Sequence, residues 1–367
     1  MYDEIIYTIA FTMLPGLNDI QRKKIFEFYG SALSIYKQRE QQNFAFYPFY
    51  HLNSVQKNNL LGPWPLQEAA SEFNFIKKNF IECISLKDDR YPKRLLHCPD
   101  APVLLYTKGS NAFNLPYLLS VVGSRQHTIQ VYRVIKELME GLSHLNIGII
   151  SGLAKGIDAI AHQTALEYKI PTWGVLAHGL DQIYPNEHRK LASDIIKNGG
   201  LITESRKETT IHPYCFPKRN RIVAGISDAT LVIETDLKGG SMITANLAFD
   251  YNREVFALPG KIHDPKSKGC LALIRRNKAH IYHDVESLIE DMSWPVKENN
   301  YSVQSLKIEF PKETQRILDH IQLHGPLHRE EIANQLKINA GILSTLLFEL
   351  EMKAQIQLLA GNRYARL

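Results

Sequence analysis

At 367 residues, 44% of them hydrophobic and 22% charged, the chain has room for two or three domains whose cores need no covalent staples. Its formal net charge of +5 is mild, so composition alone does not mark a nucleic-acid binder. No apolar run approaches the roughly 20 residues of a membrane-spanning helix, which argues against a membrane protein. Cys83, Cys98, Cys215 and Cys270 form no CxxC pair and have no histidine at metal-ligand spacing, so free thiols in a reducing compartment are expected rather than disulfides or a metal site. The start, Met1-Tyr2-Asp3-Glu4, lacks the basic residues of a secretory signal, and the expected location is the cytoplasm.

Helical periodicity fills residues 1–80, with Ile5, Ile6, Ile9 and Ala10 followed by Ile25, Phe26 and Tyr29. Between them, Leu14-Pro15-Gly16-Leu17-Asn18 has the look of a helix-hairpin-helix turn, with Asn18 where the second glycine usually stands. A small SAM-like or helix-hairpin-helix-like domain is expected there. The proline-rich stretch Asp88 to Tyr106 suits an extended connector. Residues 81–292 then alternate apolar runs with amphipathic segments. Strands are expected at Leu118–Val122, Ile147–Ile150, Thr172–Leu176, Gly200–Thr203, Thr230–Ile233 and Glu254–Ala257, with helices between them. That rhythm predicts an α/β, Rossmann-like core with a parallel sheet covered on both faces, and a ligand crevice at the carboxyl ends of its strands. Residues 293–310 read as a linker. Residues 311–367 give three helices and a hairpin around Gly361-Asn362, the order of a winged helix. Its third helix carries Leu343, Leu346, Leu347, Phe348, Glu349, Leu350 and Glu351, which suits a protein contact better than base reading.

The chemistry concentrates in the strand-end loops. Gly123, Ser124 and Arg125 follow the first strand of the alternating region; Gly152 and Lys155 follow the second, at a helix start. Phe216-Pro217-Lys218-Arg219-Asn220-Arg221 places cations at another helix start, and Gly239, Gly240 and Ser241 open the next. Bare loop amides, helix N-termini and adjacent Lys and Arg form a trap for phosphates. Lys261 begins a run of six cations against one acid that ends at Lys278, on the same rim. Neither the GxGxxG dinucleotide fingerprint nor a P-loop is present, so no cofactor is expected. His162 and His178 stand near Asp158 and Asp181 in sequence, yet a local hydrogen bond from His162 to Asp158, four residues earlier, accounts for that spacing without catalysis. No nucleophile, base and orienter are brought together by pattern, and binding rather than turnover is expected.

Taken in order, Asp89-Arg90-Tyr91-Pro92, Val122-Gly123-Ser124-Arg125, Ser151-Gly152-Leu153-Ala154-Lys155-Gly156-Ile157-Asp158, Phe216-Pro217-Lys218-Arg219-Asn220-Arg221 and Leu258-Pro259-Gly260 closely resemble the DNA-processing protein A family (DprA, also called Smf). The resemblance covers nearly the whole chain. It implies a single-stranded DNA binder that protects incoming DNA in natural transformation and loads a RecA-type recombinase, working as a homodimer. It places DNA contact at Arg125 and Lys155, with Lys218, Arg219 and Arg221 in the adjoining basic motif. A phosphoribohydrolase of related fold would need a carboxylate in the stretch Gly239 to Asn246, and none stands there. A sequence-specific repressor would need a polar third helix in the winged domain.

Overall fold

The computed structural model describes residues 4–40, 52–294, 310–353, 355–359 and 363–366. The chain separates into two compact units, residues 1–297 and 298–367.

In the first unit, helices α1 (Glu4–Met13), α2 (Asp19–Tyr29), α3 (Ala32–Glu40), α4 (Ser54–Leu61) and α5 (Leu66–Lys78) precede the sheet. The Pro15-Gly16 turn joins α1 to α2 with Gly16 at φ +83°, a conformation glycine adopts without steric cost. Asn18, where the hairpin motif would carry glycine, is the N-cap of α2 in a reciprocal capping box with Gln21. The hairpin carbonyls of Pro15 and Gly16 accept hydrogen bonds from Asn59 and Gln56 of α4. Residues 1–80 do not close a core of their own. Ile9, Phe11 and Phe26 belong to the same buried cluster as Leu104, Ile150 and Val232 of the sheet. Lys23 reinforces that junction by donating to the carbonyls of Leu96 and Cys98 at 2.6 and 2.8 Å.

The sheet begins with β1 (Glu82–Ser85), the one-turn helix α6 (Lys93–Leu96) and β2 (Leu104–Gly109). The alternating region follows as β3 (Tyr117–Val122), α7 (Gln130–Leu142), β4 (Ile147–Ser151), α8 (Ile157–Glu167), β5 (Thr172–Val175), α9 (Arg189–Asn198), β6 (Gly200–Thr203), α10 (Cys215–Ile226), β7 (Ala229–Val232), α11 (Gly240–Asp250), β8 (Glu254–Ala257), α12 (Lys268–Arg275), β9 (His280–Ile281) and α13 (Val285–Asp291). Strand order is β1-β2-β6-β5-β4-β3-β7-β8-β9. All pairings from β6 to β9 are parallel, while β1 and β2 add an antiparallel edge. The expected connector between Asp88 and Tyr106 therefore contains a strand: the prolines stop before Val103, and Leu104 to Tyr106 are fully buried.

Alternation along the strands builds both layers. Leu118, Val122, Ile150 and Val232 face the cluster shared with the N-terminal helices, whereas Leu119, Val121, Ile149 and Leu231 face the cluster beneath α7, α8 and α13. Trp294 is buried against Tyr117, with ring centroids 5.2 Å apart, so the first unit holds a residue expected in the linker. The rest of that linker, 295–309, lies outside the described residues, as does the Gly361-Asn362 turn.

The second unit is a winged helix: α14 (Lys312–His324), β10 (Leu327–His328), α15 (Arg329–Leu336), α16 (Ala340–Met352), β11 (Ile356–Leu359) and β12 (Arg363–Arg366), with strand order β10-β12-β11. Leu343, Leu347 and Leu350 of α16 are its core, while Ile342, Phe348 and Met352 face solvent. No helix among the described residues is long and apolar enough to cross a membrane.

Candidate nucleic-acid interface

Chain order reverses at β3, whose neighbours are β4 on one side and β7 on the other. In an open parallel sheet this is where the loops diverge and leave a crevice. A cavity of about 260 Å³ opens there, walled by Gly123 to Arg125 after β3, Gly152 and Ala154 after β4, Phe216, Arg219 and Asn220 of α10 and Gly239 to Ser241 at the start of α11.

Each wall is held by backbone geometry. Ser124 donates its N–H to the Glu234 carbonyl at 2.7 Å and its carbonyl accepts from Ile157, which ties the β3 loop to both neighbours. The Glu234 carboxylate accepts from the N–H and hydroxyl of Thr128, fixing the segment behind Arg125. Gly156 has φ +79°, and a side chain there would run into the carbonyls of Ser124 and Arg125, so the β4 loop can approach the β3 loop only through glycine. Asp158 accepts from the N–H groups of Gly152 and Ala154 at 3.1 and 3.4 Å. Burial raises its carboxyl above the ordinary range, and nearby Arg219 opposes that shift. At the far wall, Ser241 donates to Thr235 at 2.7 Å, and Asn220 bridges to the Gly240 carbonyl at 3.2 Å.

The cations divide by position. Arg125 is exposed at the mouth, its guanidinium 5.5 Å from the Phe216 ring centre. Lys155 is also exposed and is tied to Glu187 at 2.8 Å. Arg219 lies on the floor, 6% exposed, donating to the carbonyls of Gly152 and Val175. Burial lowers its guanidinium to about 10. Among the described residues Arg219 has no carboxylate within ion-pair distance; the buried Asp158, in the same crevice lining, is the negative charge that supports it.

The Lys218 to Arg221 run does not present its charges to one crevice as the sequence suggested. Arg221 is 5% exposed and pairs with Glu204 at 2.5 Å and Asp19 at 3.2 Å, on the side of α10 away from the crevice. Lys218, half exposed, lies between the same two carboxylates at 3.6 and 3.7 Å. A helix turning about 100° per residue puts Lys218 and Arg221, three residues apart, on one face and sends Arg219 to another. Lys261 is exposed on the loop after β8, outside the crevice lining; that loop instead braces Thr235, whose N–H donates to the Lys266 carbonyl at 2.7 Å.

The histidines serve the fold. His162 is buried and shares a 2.7 Å hydrogen bond with Thr172, not with Asp158, and burial pushes its pKa down to about 3. His178 donates from Nδ1 to the Gly179 carbonyl and accepts at Nε2 from Tyr184, pinning its loop. Asn246, where the hydrolase carboxylate would stand, donates to Met242 and accepts from Lys278. The aromatic lining was not anticipated: Tyr184 lies 5.9 Å from Phe216, beside the crevice. The Phe216-Pro217 pair before the cations was its visible trace. The four cysteines are free thiols, Cys98 and Cys270 buried.

The chain is thus a Rossmann-like domain with a cationic crevice at its topological switch point, followed in sequence by a winged helix. The profile of the DNA recombination-mediator protein A family matches residues 82–293, and that of the DprA winged helix domain matches 307–362. The chain belongs to the DNA-processing protein A (DprA/Smf) family. It is 32% identical to protein Smf of Escherichia coli over 83% of this chain and 82% of the relative. To DNA processing protein DprA of Bacillus subtilis it is 34% identical, over 58% of this chain and 71% of that one. The X-ray structure of DNA processing protein A from Streptococcus pneumoniae superposes with a TM-score of 0.66 at 28% identity, covering 79% of this chain and 98% of that one. DNA processing protein A from Helicobacter pylori, whose structure describes a single-stranded DNA binding mode, superposes with a TM-score of 0.53 at 28% identity, over 58% of this chain and 95% of that one.

Proposed function

We propose that this chain binds single-stranded DNA without regard to sequence, protects it during natural transformation, and loads a RecA-type recombinase onto it, acting as a cytoplasmic homodimer. The observation that carries the binding role is the buried Arg219 at the crevice floor, which no carboxylate pairs directly, with Arg125 exposed at the mouth and Lys155 exposed on the adjoining loop. A phosphodiester supplies a direct ionic partner. Loop amides around Ser124 and Gly240 bind backbone and read no base, which makes the contact sequence-independent. Pairing of two such crevices in a homodimer raises avidity for strands long enough to reach both. The recombinase role rests on family membership. Binding without turnover fits the site, since His178 and Asp158 are engaged in holding loops and His162 is bonded to Thr172 of β5.

The test is fluorescence anisotropy of matched single-stranded and duplex oligonucleotides with wild type and Arg125→Ala across a salt series. Expected is a preference for single strands, with log affinity falling by about 0.7 per phosphate contact for each unit of log salt. Arg125→Ala lowers affinity alike for all sequences and flattens that slope. A folded variant with unchanged affinity removes the crevice as the DNA site. Recombinase loading is read from strand exchange on single strands coated with a single-strand-binding protein, and no stimulation by this chain rejects it.

A further inference from the structure

A second, larger cavity of about 400 Å³ lies beside β6, walled by α1, α2, the segment before β2, the loop after β6 and Lys218 of α10. Its walls carry Arg22, Arg206 and Lys218, with Arg221 behind Lys218, against the carboxylates of Asp19 and Glu204. Both acids are already engaged by Lys218 and Arg221. Arg22 spends its guanidinium on the carbonyls of Phe11 and Leu14 at 3.0 and 2.6 Å, and these neutralise none of its charge. Arg206 is half-buried and makes no ion pair or hydrogen bond through its guanidinium among the described residues, although the buried Glu72 carboxylate of α5 feels its charge. With Arg22, Arg206, Lys218 and Arg221 set against Asp19, Glu204 and Glu72, the cavity remains cationic in excess.

It lies along the same edge of the sheet as the crevice. The carboxyl ends of β7, β3, β4, β5 and β6 form one rim, with the crevice at one end and this cavity at the other. Successive residues of α10 open on the two: Arg219 on the crevice, Lys218 on the cavity. Resting on the single-stranded DNA reading above, we propose that the cavity is a second phosphate subsite for the same strand, which leaves the crevice across the start of α10 toward the N-terminal helices. Lys218 and Arg206 contact the backbone there. Asp19 competes with the DNA for Lys218.

Anisotropy with single strands of about four and about sixteen nucleotides, the range of common single-strand sites, separates the subsites. In the full chain, Lys218→Ala with Arg206→Ala leaves the short oligonucleotide unaffected. For the long one it lowers affinity and reduces the log-log salt slope by about 1.4, two contacts at about 0.7 each. Asp19→Asn tightens only the long oligonucleotide, and this gain vanishes when Lys218 is already alanine, whereas Glu27→Gln, an acid of the same helix outside the cavity, changes neither. Equal loss for both lengths, or none for either, overturns the second subsite while leaving the crevice in place. Absence of single-strand binding by the wild type overturns both.

Discussion

Gly152→Ala tests how the crevice floor is built. Gly152 is not at positive φ, so alanine introduces no backbone strain there. Its Cβ, however, would meet Nη1, Nη2 and Cζ of Arg219 inside the 3.0 Å that real side chains respect. A long side chain usually yields to such a contact cheaply. This one is tethered, because Nη1 donates to the carbonyls of both Gly152 and Val175. Displacing the guanidinium forfeits one or both of these charge-assisted bonds, each contributing about 1.5–3 kcal/mol, and leaves Asp158 further from its compensating charge. The expected destabilisation is about 2–4 kcal/mol, read from urea unfolding, together with weaker single-strand binding. In an Arg219→Met background the tethered guanidinium is gone, and the same substitution is expected to cost less than about 1 kcal/mol, the difference being the coupling between two residues in contact. An alanine variant as stable as wild type, or one equally destabilised in both backgrounds, refutes the account of the floor.

Replacing Arg221 by Met strands Glu204 and Asp19 without their buried partner and is expected to cost about 3–5 kcal/mol in chemical denaturation; Lys218→Met, half exposed, costs less than about 1. Similar costs for the two would show that Arg221 is not structural. Glu187→Gln releases Lys155 from its 2.8 Å ion pair and is expected to tighten single-strand binding by a few-fold at most, since the pair is exposed and screened by solvent; weaker binding would mean that Glu187 positions Lys155 rather than restrains it. His162 is held neutral when folded, with its pKa lowered to about 3, whereas the unfolded chain protonates it near 6.5. The unfolded state thus binds the extra proton between these values, so stability falls as pH drops through that window, by up to about 1.4 kcal/mol per pH unit from this group. His162→Gln removes that component, and urea midpoints from pH 7 to pH 4 should decline less steeply in the variant. Parallel declines would exclude His162 as a source of acid sensitivity.

Much of the sheet was legible because β3 to β8 are short, apolar and rich in β-branched residues, which leaves few alternatives once helices separate them. β2 was hidden by its neighbours. Pro92, Pro99 and Pro102 dominate the local pattern, and Leu104 to Tyr106 pair in an antiparallel edge whose partner, β6, lies almost 100 residues away in sequence. What covers the apolar face of residues 1–80 was hidden for a related reason: periodicity identifies such a face but not its partner, and here Ile9 and Phe26 share a core with the sheet.

The candidate site was legible in its loops and not in its charges. Glycines at 123, 152, 156 and 239 announce close approach of backbone, and each has a neighbour that a side chain would strike. Whether an arginine faces solvent or a ring of carbonyls depends on strands distant in sequence, such as Val175 beneath Arg219 and Asp100 beside Arg221. One part of the answer was nevertheless available from residue spacing. Once Lys218, Arg219 and Arg221 are placed on a helix, its 3.6-residue period puts Lys218 and Arg221 on one face and Arg219 on another, so the basic run had to serve more than one surface. The structure gives the two faces distinct environments: a crevice floor for Arg219, and the Asp19 and Glu204 carboxylates for Lys218 and Arg221, with Lys218 also lining the second cavity. A short basic motif on a helix is therefore better read as a divided set than as a patch, and the differing costs expected for Arg221→Met and Lys218→Met follow from how deeply each side chain on the shared face is buried.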